Sequence, residues 1–161
     1  MNILEQIAAQ TRERIEAEKR QTPTEELIRQ IEAMEQKKSK QSFYEALKKP
    51  GMSYICEVKK ASPSKGLIAS DFPYLDIARE YEAAGASAIS CLTEPFRFLG
   101  KDAYLQEIAA QVEIPVLRKD FTVDEYMIYQ ARLLGASAVL LICAILDNVQ
   151  LKAFGELAQD L

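Results

Sequence analysis

Histidine is missing altogether from this 161-residue chain. Its absence rules out Ser-His and Cys-His catalytic arrangements and most transition-metal sites, and it leaves Lys, Glu, Asp and Tyr to carry any proton transfer. Cysteine is scarce. Cys56, Cys91 and Cys143 stand far apart in apolar, strand-like runs with no CxxC pair, so buried reduced thiols are expected rather than ligands or nucleophiles. No apolar run approaches the ~18 residues of a membrane span, and the N-terminus, MNILEQIAAQTRERIEAEKR, is too charged for a signal peptide. The cytoplasm is therefore the default compartment. An excess of basic charge is also lacking, since the net charge is −4, so neither nucleic acid nor a membrane surface is expected as partner. What is present, 48% hydrophobic and 27% charged residues, is the profile of a soluble globular protein of about one domain.

Residues 2–37 read as helix. Ile3, Leu4, Ile7 and Ala8 fall on one face, and after a break at Thr22-Pro23-Thr24 the set Leu27, Ile28, Ile31 and Met34 does the same, with Thr24 expected at the N-cap. KKSKQ, 37–41, reads as a polar connector, and SFYEALKKPG, 42–51, as a short helix stopped by Pro50-Gly51. From Ser53 the pattern changes. Four apolar segments, SYICEV (53–58), ASAISCLT (86–93), IPVLRKDF (114–121) and ASAVLLICAIL (136–146), alternate with helical stretches, which is the signature of a parallel sheet with covered faces. An internal echo supports it: AGASAISCL (84–92) and LGASAVLLI (134–142) each stop a helix on glycine, Gly85 or Gly135, three residues before a strand. Repeating βα units of ~25–35 residues build either a (βα)8 barrel or a doubly wound sheet.

In such folds chemistry gathers at the C-terminal ends of strands. The first segment here ends in Glu57, Lys59 and Lys60, within CEVKKASPSKG (56–66). The second ends in Thr93 and Glu94, and the third in Arg118, Lys119 and Asp120. Side chains alternate along a strand, so Glu57 and Lys59 share a face, and Lys119 joins them if Leu117 and Lys119 face the same way. An amine beside a second ammonium and a carboxylate can give and take a proton near neutral pH without imidazole. The alternative is that these charges simply mark where the strands meet solvent, and spacing alone leaves both readings open.

CEVKKASPSKG, CLTEPFRFLG (91–100) and IPVLRKDF (114–121), followed by GASAVLLICAIL (135–146), resemble the corresponding segments of the indole-3-glycerol-phosphate synthase family of tryptophan biosynthesis. The likeness runs from about Ser42 to Leu161, and the helical leader fits that family's N-terminal extension. The resemblance implies a (βα)8 barrel. It also implies ring closure with decarboxylation and dehydration of a carboxyphenylamino-deoxyribulose phosphate, with no metal or organic cofactor. It assigns Lys119 as the acid that protonates the developing alkoxide, Lys59 as the amine that meets the substrate's anionic groups, and Glu57 as the carboxylate holding both amines. Ser62 and Pro63 match the loop at the mouth of the site, while Phe98, Phe121 and, more loosely, Leu140 match walls around the aromatic ring.

A complete barrel takes about 250 residues, whereas four βα units are legible here. The expected organisation is an N-terminal helical extension over 1–51 and the first half of a barrel over 52–161. Such a half barrel leaves two sheet edges unpaired and has no Gly-rich loop to cradle a phosphate. The expectation is therefore a fragment with little activity alone, associating edge to edge or complemented by a missing C-terminal half. Two other readings fit the same residues: a half-barrel assembly module without activity, and another phosphate-substrate barrel lyase using a Schiff-base lysine.

Overall fold

Two helices with apolar residues spaced by three and four open the fold. α1 (Ile3–Gln21) buries the stripe Ile7, Ala8, Thr11 and Ile15 and is closed at its start by a capping box between Asn2 and Glu5. α2 (Thr24–Ala33) buries Leu27. Its N-cap is Pro23 rather than the expected Thr24: proline's φ of −60° leads directly into the helix, so Thr24 is already helical and no side chain caps the turn. α3 (Phe43–Leu47) starts at Ser42, whose Oγ accepts from the Glu45 N–H at 3.1 Å, and ends earlier than the expected 42–51. The structure is a computed structural model that describes residues 2–34 and 42–161. The expected connector 37–41 and the last residues of the expected 2–37 helix lie outside the described residues.

Four parallel strands follow, β1 (Ile55–Val58), β4 (Ala88–Leu92), β5 (Val116–Lys119) and β6 (Ala138–Val139), and a short antiparallel pair, β2 (Ala61–Ser62) with β3 (Gly66–Leu67), intervenes after β1. The parallel sheet runs β1-β4-β5-β6, in chain order. α4 (Tyr74–Ala83), α5 (Asp102–Gln111) and α6 (Tyr126–Leu133) connect successive strands, and α7 (Asn148–Asp160) ends the chain. Val58, Ile89, Cys91 and Val116 point from the sheet into one core with Ala78 of α4 and Leu105, Ile108 and Ala109 of α5. A doubly wound sheet reverses its strand order; this one does not.

Gly85 and Gly135 end α4 and α6 at φ +91° and +85°, the left-handed geometry expected of both halves of the repeat, and β4 and β6 start at Ala88 and Ala138. The fourth strand is far shorter than the expected 136–146. β6 pairs only with β5, and the chain turns at once toward α7, with Ile145 N–H donating to the Ile142 carbonyl. A strand with one partner holds only one ladder. The expectation of buried thiols holds for Cys91 alone: Cys56 is half-buried on the edge strand β1, and Cys143, carried out of the sheet by that early turn, is exposed. No described helix is long and apolar enough to cross a membrane.

Candidate active site

Strand alternation divides the polar strand ends between the two faces of the sheet. On β5 the pattern is strict: Val116 and Arg118 are buried toward the helices, and Leu117 and Lys119 face the other way. The parallel register sets Glu57 opposite Ser90 and Ser90 opposite Leu117. Three strands thus deliver Glu57, Ser90 and Lys119 to one patch of the face opposite α4 and α5, and the chain leaving β1 adds Lys59.

These groups converge on one carboxylate. Lys59 Nζ donates to Glu57 Oε1 at 2.6 Å, and Lys119 Nζ donates to Oε2 at 3.1 Å, where Ser90 Oγ also donates at 3.3 Å. The side chains of Glu57, Lys59 and Lys119 are each about a third exposed, open enough for a ligand to reach both amines. Burial alone pushes the Glu57 carboxyl up. The hydrogen bonds from Lys59 and Lys119 and their positive charges outweigh it and hold the group below its ordinary 4.5. Partly buried charge at the end of this edge strand is thus tolerated because each carboxylate oxygen has its own ammonium donor.

The other polar strand-end residues do not join this patch. Arg118 is 1% exposed and donates to Asp102 Oδ1 at 2.9 Å and to the Met127 carbonyl at 2.9 Å. Asp120 is buried beside Arg14 and Thr93. Glu94 is fully buried at the end of β4, and its carboxylate accepts three backbone N–H groups, from Phe96 at 2.9 Å, Arg97 at 2.7 Å and Phe98 at 2.9 Å. It winds the loop after β4 around itself. Gly100 completes that loop, because a Cβ there would lie 2.4 Å from the Leu92 carbonyl oxygen.

Phe98, presented by this loop, packs on Phe121 just beyond β5 with ring centroids 6.5 Å apart. Both belong to the apolar cluster that includes Ile7, Ala8 and Ile15 of α1. Ser62 is buried at the end of β2, and its Oγ accepts the Lys65 N–H at 3.2 Å within its own hairpin. Pro63 is exposed in the same turn, and Leu140 is half-buried just past β6. The structure therefore unites Glu57, Lys59 and Lys119, pairs Phe98 with Phe121, and leaves Ser62, Pro63 and Leu140 on surrounding segments. Ser90 was missed by sequence reasoning. Its one signal is being the lone hydroxyl within the otherwise apolar AISCL of β4. Among the described residues, no three His, Cys, Asp or Glu side chains gather as a metal site.

Comparison with known proteins places these residues in context. The sequence profile of the family described as Indole-3-glycerol phosphate synthase matches residues 4–161. A protein of that name from Endomicrobium trichonymphae is 55% identical over 159 residues, covering 99% of this chain and 61% of its own length. Namesakes from Ruminiclostridium cellulolyticum and Lacticaseibacillus paracasei are 52% and 50% identical over 159 residues with the same coverage. The chain thus spans about 61% of the length of these curated relatives.

Proposed function

The chain belongs to the indole-3-glycerol phosphate synthase family, and from that premise we propose that it supplies the proton-transfer centre for closing an indole ring on a carboxyphenylamino-deoxyribulose phosphate. The observation carrying this reading is the sharing of the Glu57 carboxylate by the two ammonium groups of Lys59 and Lys119.

Ring closure has an aromatic carbon attack a ketone, and the ketone oxygen takes on negative charge as the carbon–carbon bond forms. An ammonium placed beside that oxygen donates a proton as the charge develops. Lys119 is that acid in this proposal: it projects from a strand end, so its reach is set by the sheet rather than by a loop. Lys59, on the less constrained segment after β1, meets the substrate's anionic groups. Glu57 holds both amines in place: as Lys119 gives its proton to the alkoxide oxygen and becomes a neutral amine, the Lys59 ammonium keeps the carboxylate paired. Loss of carbon dioxide then restores the aromatic ring, and departure of the hydroxyl as water takes one proton from an acid while a base removes the proton on the adjacent ring carbon. Phe98 and Phe121 offer an apolar wall against which a carboxylate is poorly solvated, which favours its loss. Ser62 and Pro63 belong to the hairpin edging the site, and Leu140 to the neighbouring strand end.

The fold proposed with this activity is four consecutive βα units of a (βα)8 barrel over 52–161, with a helical extension over 1–51. In support, the strand order follows the chain order, and α4 and α5 pack together on one face of the sheet. The free edges at β1 and β6, with Met52, Tyr54 and Ile55 exposed beside β1, support a sheet completed by further strands from a second copy or from the part of the synthase that this chain does not span.

The test is turnover of the carboxyphenylamino substrate followed by indole fluorescence, with the chain alone and with the remaining part of a relative supplied separately. Turnover in the mixture, abolished by Lys119→Met, is the expected result. A folded mixture that produces no indole, or one indifferent to Lys119→Met, overturns the proposal.

A further inference from the structure

We propose that Arg14, on the N-terminal helix α1, is a positioning residue that acts through Asp120 to fix where Lys119 points; this rests on the reading of Lys119 as the acid.

Lys119 is flanked by two buried charges whose side chains leave the opposite face of the strand. Before it, Arg118 is anchored to Asp102, the Met127 carbonyl, Gln130 and the Thr93 hydroxyl. After it, the Asp120 carboxylate has no exposed side-chain surface. One nitrogen of Arg14 donates to both its oxygens, at 3.3 and 3.1 Å. Oδ2 also accepts the Thr93 hydroxyl at 2.7 Å, and Oδ1 accepts the backbone N–H of Phe121 at 2.8 Å. The Lys119 carbonyl itself accepts the Thr93 N–H at 3.1 Å. The peptide units on either side of Lys119 are therefore held by one network, and Arg14 is its direct countercharge to Asp120.

Remove that countercharge and Asp120 becomes a buried carboxylate held only by neutral donors. A charge so placed seeks water or a new cation, and the backbone bonded to it through Phe121 and Thr93 moves with it. Lys119 is one residue away, and its 3.1 Å contact with Glu57 has little tolerance for such a shift. Lys59 approaches the other oxygen of Glu57 from a different segment and is untouched by the network.

The geometry of Arg14 itself supports a positioning task. Its Nε is buried with no acceptor among the described residues, so the guanidinium is not arranged for its own best satisfaction. Nor is Arg14 needed merely to dock α1. Lys19 donates to Asp124 at 2.6 Å, Gln130 donates to Glu18 at 2.7 Å, and the Tyr126 hydroxyl donates to the Thr22 carbonyl at 3.0 Å, all joining α1 or its end to the segment after β5.

The experiment is trace acetylation of the 161-residue chain with acetic anhydride, reading the ratio of label on Lys119 to label on Lys59 by peptide mass spectrometry, with helix content followed by circular dichroism. In Arg14→Gln the ratio is expected to rise about threefold, as Lys119 loses an ion pair of intermediate exposure while Lys59 keeps its own. Asp120→Asn, a less disruptive change, is expected to raise it in the same direction and serves alone if Arg14→Gln does not fold. Lys19→Gln cuts a neighbouring fastener between the same segments and is expected to leave the ratio unchanged. An unchanged ratio in a folded Arg14→Gln or Asp120→Asn chain, or an equal rise in Lys19→Gln, overturns the inference. Because the ratio needs no turnover, a shift seen in the chain together with a folded mixture that makes no indole refutes only the catalytic reading.

Discussion

Replacing Glu94 with glutamine tests whether a single buried carboxylate shapes the loop that carries Phe98. The side chain is fully buried, with Oε2 accepting from Arg97 and Phe98 and Oε1 from Phe96. Glutamine keeps the shape and one acceptor oxygen, which is best placed where two N–H groups already point. Its NH2 group then faces the Phe96 N–H, leaving a buried donor without an acceptor at a cost of about 1–3 kcal/mol. The two surviving bonds also lose their charge assistance, roughly halving their strength. Relief of carboxylate desolvation works in the opposite direction, so a net loss of about 2 kcal/mol is expected, equivalent to a fall in Tm of roughly 4–8 °C for a domain of this size. Glu94→Ala orphans all three N–H groups and opens a cavity, for about 4–5 kcal/mol. Urea titration followed by circular dichroism measures the stability, and hydrogen exchange at the amides of Phe96, Arg97 and Phe98 locates the loss. A Glu94→Gln chain within about 0.5 kcal/mol of the parent, with those three amides as slow as before, refutes the reasoning.

Two further outcomes follow from the same geometry. The Glu57 carboxyl is held below its ordinary 4.5, so its contribution to stability is complete above that value and disappears as pH falls through the lower folded-state value. Its carboxyl carbon resonance should therefore titrate below 4.5 and move upward in Lys119→Met, whereas a parent midpoint at or above 4.5 contradicts the shared ion pair. Among the thiols, Cys143 should react first with iodoacetamide at mildly alkaline pH, then Cys56, with Cys91 last because burial pushes its thiol up to about 12. Peptide mass spectrometry reads the order, and labelling of Cys91 as fast as Cys143 is incompatible with the fold.

Local pattern was enough for much of this molecule. Apolar spacing marked α1, α2 and the helices between strands. The doubled glycine-strand echo marked where α4 and α6 stop, because only a residue without a Cβ takes that left-handed turn freely. Alternation along β1 put Glu57 and Lys59 on one face, and the quoted motifs carried the family resemblance. What local pattern could not convey was anything that depends on a neighbour distant in sequence. The parallel register brings Ser90 and Lys119 to Glu57, and no residue in β1 encodes it. The short β6 and exposed Cys143 follow from the chain leaving the sheet after Val139 and turning over 142–145 toward α7. Arg118, Asp120 and Glu94 read in sequence only as polar residues at strand ends, in a site or in solvent, yet all three are buried. Whether a charge can be buried is settled by the groups that meet it. For Asp120 the decisive one is Arg14, 106 positions away along the chain and 3.1 Å away in space.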